Sequence, residues 1–435
     1  MFFQKIAVRL WRRPRIVRLT LVGVAMLGLL NSVPTSAQSP APLTMSAALL
    51  LAEQRSQQLS AQDSVASAAR ELAIAAAQLP DPVLKAGINN LPINGSDQFS
   101  LTRDFMTMRY LGIAQEITRR EKLQTRSTRF EREVQAAAAN RRLIRAGIHR
   151  ETAQAWLDRY FADQMQTLLT QQRDQVALQI EAADAAYRGG RAAQGDVLAV
   201  RVARAQIEDR IALAQREVAT ATTQLARWIG AAATAPLAEQ PSLDAVRIGP
   251  QDISGRLAHH PQLLTIASQQ ELAQAEVDVA VANQRSDWSV EVMYAKRGPS
   301  YSDMVSFGVS IPLQWDQANR QDRELAAKRA VVAQRLAEHE EATRAHVAET
   351  QAMLQAWQGN RERLQRYDRD QVPLASERTR ATLAAYRGSA GTLAAVLEAR
   401  RGEIDTRIDR LRLAMETARL WAQLNFLIPD PSGPP

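Results

Sequence analysis

The 435-residue chain contains no cysteine. Disulfide frameworks, thiolate metal sites, cysteine nucleophiles and lipidated cysteines are thereby excluded. Aromatic residues amount to only 5%, and 19 Gly with 18 Pro are too few for a collagen-like or linker-like composition. Beyond the N-terminal segment, no apolar run approaches the ~18 residues that a membrane-spanning helix needs. There is no Gly-x-Ser-x-Gly, no phosphate-binding Walker loop and no His-Glu-x-x-His. The expectation is a protein that is not an enzyme and that needs no cofactor.

What the chain does have is 46% hydrophobic and 23% charged residues, with much Ala, Gln, Arg and Leu. That mixture favours long helices packed through small side chains. The net charge of +8 is misleading, because Lys5, Arg9, Arg12, Arg13, Arg15 and Arg18 precede residue 37 without an acid among them. The remaining charges are interleaved and form no basic stripe, which argues against nucleic acid as a partner.

The basic stretch is followed by an apolar run from Leu19 to Leu30 and then by Pro34, Thr35, Ser36 and Ala37. This order reads as an export signal (residues 1–37) cleaved after Ala37, with an N-terminal anchor as the other reading. An exported chain without apolar helices can still span a membrane as β-strands.

The remainder repeats itself once. Tyr187-Arg188-Gly189 recurs as Tyr386-Arg387-Gly388, Val197-Leu198 as Val396-Leu397, and Leu111-Gly112-Ile113 as Phe307-Gly308-Val309. Asp81 and Asp287 each open an apolar alternation, and Gln58-Leu59 matches Gln262-Leu263. These matches divide the chain into a first repeat (38–230), a proline-containing linker (231–250), a second repeat (251–428) and a tail (429–435).

Each repeat has one plan. A helical stretch (44–78, then 251–284) is followed by two period-two segments, 82–90 with 105–117 and 288–296 with 303–313. Val290, Val292 and Tyr294 alternate with Glu291, Met293 and Ala295. Such runs have the length of tilted membrane strands. A very long helix (119–187, then 316–386) would extend about 100 Å. Leu325, Val332, Leu336, Val347, Leu354, Trp357 and Leu364 give the second of these a coiled-coil seam, and Pro373 should kink it. A glycine turn then reverses the chain into a shorter helix (193–229, then 391–427). Four strands cannot close a barrel, and open edges are not tolerated in lipid. Several chains must therefore share one barrel, and three copies would supply twelve strands.

The duplicated layout, the Tyr-x-x-Gly turn followed by Val-Leu, and the strand Gly308–Leu313 resemble the TolC-type outer-membrane efflux channels. The resemblance implies a mixed membrane α/β fold: a homotrimer whose twelve-strand transmembrane β-barrel in outer-membrane lipid continues as a periplasmic α-helical coiled-coil tunnel. It also implies the role of exit duct for a tripartite pump, with a periplasmic adaptor and an inner-membrane RND transporter as partners. Asp81-Pro82, Asn90-Leu91-Pro92-Ile93, Asp104–Thr107 and Gly112–Glu116 resemble the heavy-metal cation branch, which exports copper/silver or cobalt/zinc/cadmium. The chain departs from that branch after Gln115-Glu116, where Ile117-Thr118-Arg119 replaces the usual Pro and Gly. Ducts for organic drugs or for type I protein secretion share the fold. A periplasmic coiled-coil structural protein is a further reading, one that leaves the paired alternations unexplained.

The resemblance places adaptor docking at the helix tips, at Tyr187, Gly189, Gly190, Arg191, Tyr386, Gly388 and Gly391. It places a constriction beside the Val-Leu pairs, where Asp196 and Glu398 are the nearest acids, with Arg191, Arg201 and Arg400 available to bridge them. No metal site is expected. His259 and His260 point ~100° apart on a helix and precede a helix-start Pro261, so a structural role is the simpler reading. His149, His339 and His346 are isolated, and Met106 with Met108 reads as packing.

Overall fold

The computed structural model of the chain describes residues 42–190, 193–249, 251 and 253–428. The expected export segment, the tail 429–435 and Arg191 lie outside these residues. The order is α1 (Met45–Arg55), α2 (Gln57–Ala76), β1 (Val83–Asn89), β2 (Met108–Ile117), α3 (Arg120–Arg188) and α4 (Gln194–Ile229). Then come α5 (Ile253–Leu257), α6 (Pro261–Asn283), β3 (Trp288–Lys296), β4 (Met304–Ser310), α7 (Gln321–Arg366), α8 (Val372–Arg387) and α9 (Leu393–Asn425).

Local chemistry sets several boundaries that periodicity does not show. The stretch 44–78 is two helices, because the Ser56 hydroxyl accepts from the Leu59 N–H at 3.3 Å and restarts the chain as α2. The stretch 251–284 is likewise split. His260 caps α6 by accepting the Gln262 N–H on Nδ1 at 3.3 Å, and Pro261 occupies the first turn. The expected kink at Pro373 takes the form of a π turn over Tyr367–Gln371. A proline there has no N–H to donate and would clash with the carbonyl of Arg369, so one widened turn absorbs the misfit. The second long helix begins at Gln321, not 316, after a short 3-10 turn over Gln317–Asn319.

The four strands form one antiparallel sheet in the order β1-β2-β3-β4. Leu84 faces Ile113, which faces Val292, which faces Phe307; Ala86, Leu111, Tyr294 and Val305 make the next row. Period-two alternation therefore puts every large apolar side chain of these rows on one face. The opposite face carries Lys85, Gly112, Glu291, Ser306, Gly308 and Ser310, with Lys85 paired to Glu291. The strand expected over 105–117 begins at Met108, and the one expected over 303–313 is ordered as strand to Ser310, just before Pro312.

Helix α3 has 69 residues, about 100 Å of continuous helix. It packs on α2 and α6 near the sheet and on α4 farther away, while α7 lies on α6 and α8 on α9. The largest side chains gather midway along its length. Trp156, Leu157, Leu225, Ile248, Leu257, Leu354, Trp357, Trp421 and Leu424 form one core. Trp156 donates to the Leu43 carbonyl at 3.1 Å, and Leu43 forms a parallel bridge with Leu237. A second core, farther from the sheet, joins Leu169, Val176, Val197, Val200, Ile207, Ile211, Ile404 and Ile408. The seam of α7 buries Leu325, Leu354 and Trp357, but Leu336 is exposed.

Candidate functional site

Two regions bear on function: the sheet and the helix tips. Phe307 on β4 is 80% exposed, where a soluble protein would bury it, and Trp315, beyond the end of that strand, is 87% exposed. Leu84, Leu111, Ile113, Val292, Val305 and Val309 are exposed on the same face as Phe307. Together they make a contiguous apolar face of the kind that lipid or another chain covers. Among the described residues, no helix is long and apolar enough to cross a membrane.

Of the stretches that resemble the heavy-metal branch, Asn90–Ile93 and Asp104–Thr107 lie at the turn of the β1–β2 hairpin, while Asp81-Pro82 precedes β1 and Gly112–Glu116 belongs to β2. Thr107 is fully buried and donates its hydroxyl to the Asn90 carbonyl at 2.9 Å. The Asp104 carboxylate accepts the N–H groups of Met106 at 2.8 Å and Thr107 at 3.2 Å. Asn90 itself has φ of 55°, a left-handed conformation to which Asn is well suited. Met106 is exposed beside this latch, and Met108 is the first residue of β2, opposite Asn89. At the inner end of the sheet, Lys122 is buried and donates to Asp287 at 2.7 Å, while Asp287 accepts the Arg119 N–H at 3.3 Å. Sequence reading missed this clasp, because nothing in the spacing ties Lys122 to Asp287.

At the tips, both long arms end in a tyrosine and then reverse. The Gly190 N–H returns to the Tyr187 carbonyl at 2.9 Å, and Gly190 adopts φ of +67°. The equivalent left-handed position in the second turn is held by Ser389, at φ of +61°, not by a glycine. Its turn is closed by the Ala390 N–H on the Ala385 carbonyl at 2.8 Å. Gly189 and Gly388 have ordinary helical-side φ and end α3 and α8. A Cβ on Gly391 would come within 3.2 Å of the Tyr386 backbone nitrogen, so close approach is the reason for that glycine. Tyr386 packs on the distal core, whereas Tyr187 stands 46% exposed.

The Asp196 carboxylate accepts the Ala193 N–H at 3.0 Å and so caps α4. Glu398 is exposed on α9, with Arg378 3.5 Å away. Arg201 lies 3.7 Å from Asp184, and Arg400 lies 3.1 Å from the buried Glu403. Among the described residues, neither Arg201 nor Arg400 bridges Asp196 or Glu398.

His149, His260 and His346 take structural places. His260 is buried, caps α6 and stacks on His346 with ring centroids 4.3 Å apart. Burial, reinforced by His346 and Arg150, lowers its pKa to about 4. His149 sits 3.1 Å from Glu53, with burial holding its pKa down. His259 is exposed. Among the described residues, no group of three or more His, Asp or Glu could hold a metal ion.

No protein-family model matches the chain, and no curated protein matches its sequence. Solved structures do match it closely in shape. The chain is similar to the transmembrane channel CusC, at 16% identity and a TM-score of 0.74 over 89% of this chain and 92% of that one. It is similar to the outer-membrane protein VceC of Vibrio cholerae, at 18% identity and a TM-score of 0.72, covering 88% and 95%. The Campylobacter jejuni CmeC outer-membrane channel gives 11% identity and a TM-score of 0.71, covering 95% and 93%. The fold of this chain is therefore that of the outer-membrane channels. More particularly, it is the TolC-type fold that the duplicated turn and strand motifs resemble.

Proposed function

We propose that the chain is the outer-membrane exit duct of a tripartite RND-type efflux system and that its cargo is heavy-metal cations. The observation that carries the duct reading is the sheet: four strands with one continuous apolar face, carried on helices about 100 Å long. A homotrimer would close twelve strands into a barrel, with the apolar face toward lipid and the row of Lys85, Glu291 and serines toward water. The helices of three copies would continue it as a periplasmic tunnel. The metal reading rests on the run from Asp81 to Glu116, whose members Asn90, Asp104 and Thr107 latch the hairpin end. A duct conducts without a tight metal site, since tight binding would stall release.

The tips face the pump in this reading, because they are the ends of α3 and α8 farthest from the sheet. The exposed Tyr187, the turn at Gly189 and Gly190, Arg191, and the tighter turn of Tyr386, Gly388 and Gly391 would meet the adaptor. Asp196 and Glu398, one turn into the returning helices, are the acids nearest the tunnel mouth. Deleting the gene from cells that carry the partner pump should lower tolerance to copper, silver, cobalt, zinc or cadmium at least several-fold. Tyr187→Ala should reproduce that loss with normal amounts of oligomer. Unchanged metal tolerance together with new sensitivity to organic drugs would overturn the cargo and leave the duct standing.

A further inference from the structure

The apolar face of the sheet carries charge at one end only. By register and pleat, its strand residues run from the row of Ile117 and Trp288, beside the helices, to the row of Ile88, Arg109 and Lys296 at the far end. Of the three basic residues on the strands, Lys85 lies on the opposite face and is paired with Glu291. The other two, Arg109 and Lys296, lie on the apolar face and stand directly opposite each other across β2 and β3. No acid holds a strand position on that face, because Glu116 and Glu291 both belong to the polar one.

Like charges opposed in this way repel each other, and no acid among the described residues pairs with either. Arg109 donates from Nη2 to the Arg297 carbonyl at 3.2 Å, and its Nε is buried without a partner. Lys296 is exposed and has no ion pair. Asp303, which continues the row just before β4, has its carboxylate engaged by the Tyr294 hydroxyl. The other acids of the outer loops are also engaged: Asp97 by Arg103 at 3.6 Å, and Asp104 by the N–H groups of Met106 and Thr107.

We propose that Arg109 and Lys296 together hold the phosphate of an outer-leaflet glycolipid whose acyl chains lie along the apolar face. The proposal rests on the outer-membrane duct reading above and adds to it a lipid site. Height agrees with it. Strand β3 runs for 9 residues from Trp288 to Lys296, and the step between those two side chains is about 27 Å along the strand. Tilted as membrane strands are, this covers roughly 20 Å of an apolar band about 25 Å tall. Trp288 then falls at the inner edge, where aromatic side chains gather. The two cations fall at the outer edge, at the depth of the headgroups, because the helices leave from the opposite end of the sheet. The chemistry agrees as well. The Arg297 carbonyl fixes one arm of the Arg109 guanidinium and leaves Nη1 without a hydrogen bond. The Lys296 ammonium, one strand away, brings a second positive charge to the same phosphate. A lone lysine here would simply reach up to water, whereas a second cation held beside it by a backbone carbonyl makes a seat for a doubly charged anion.

The test uses the full chain reconstituted into phosphatidylcholine vesicles that contain diphosphoryl lipid A, and measures the lipid A that stays with the oligomer through detergent extraction, by mass spectrometry. The same glycolipid stripped of its phosphates, and inorganic phosphate as a competitor, are the comparisons. The parent chain should retain lipid A about ten-fold better than the stripped form. The Arg109→Gln, Lys296→Gln double variant should lose that preference. Lys296→Gln alone, which removes an exposed side chain with no partner in the fold, should weaken retention at least several-fold, and Lys296→Arg should keep it. Lys85→Gln, the same loss of charge on the polar face, should leave retention unchanged. Equal retention by the parent and the double variant, or of the stripped glycolipid and lipid A, overturns the site and leaves the duct standing. Displacement of lipid A by an equal concentration of inorganic phosphate also overturns it, in favour of a free-anion site. A parent chain that does not insert into the vesicles overturns the duct reading and the lipid site with it.

Discussion

Single residues at the turns and caps carry costs that can be measured. Ser389 occupies a left-handed backbone position that Gly190 occupies in the first turn. An L-residue with a side chain is strained there by roughly 1–2 kcal/mol. Ser389→Gly should therefore stabilise the second tip by about 1 kcal/mol, read as a rise in the denaturation midpoint, whereas Gly190→Ala should have the opposite sign. His260 makes stability depend on pH. Its imidazole takes up a proton at about 4 when folded, against 6.5 when free. The unfolded chain thus binds the proton first, so this contribution to stability is full above about 6.5 and is lost as the pH falls toward 4. The loss should reach on the order of 3 kcal/mol. His260→Asn keeps a capping acceptor but cannot titrate. Melting temperatures of this variant should fall less between those two pH values than those of the parent chain.

At the scale of elements, the returning helices α4 and α9 begin with one acid each, and the two acids are used differently. Asp196 is committed to capping α4, while the exposed Glu398 is paired with the exposed Arg378 at 3.5 Å. Asp196→Asn preserves the cap, so any change in conductance would report charge and not unfolding. In planar bilayers, Glu398→Ala should reduce the preference for cations and weaken block by trivalent cations added from the periplasmic side. Selectivity unchanged in the Asp196→Asn, Glu398→Ala double variant would show that other groups line the narrowest point. The elements themselves were largely legible. The alternation of Val290, Val292 and Tyr294 marks a strand, and the threes and fours from Leu325 to Leu364 mark a long helix. What escaped reading was local or long-range chemistry. A hydroxyl at Ser56 and an imidazole at His260 each split a helix without disturbing its apolar period. The positions of both turns were readable from Tyr187 and Tyr386, but not that a serine would take the left-handed place. Leu336 fits the seam period and yet is exposed, because the period continues through a face that this chain alone does not cover.

For the whole molecule, the order in which the sheet can form follows from its connections. The hairpins β1–β2 and β3–β4 are local, but the ladder that unites them joins Ile117 to Trp288. All of α3, α4, α5 and α6 lies between these residues. Closing so long a loop costs conformational entropy that the few contacts of one ladder cannot offset. The α3–α6 contact and the midway core must already hold the two hairpins side by side, and non-local pairing of this kind is slow. Hydrogen exchange during refolding should accordingly protect the amides of α3 near Trp156 before those of β2 and β3. Simultaneous protection of both would refute this sequence of events. The delay has a use. While the hairpins stay apart, their apolar rows do not yet form one broad adhesive surface through which incompletely folded chains would aggregate.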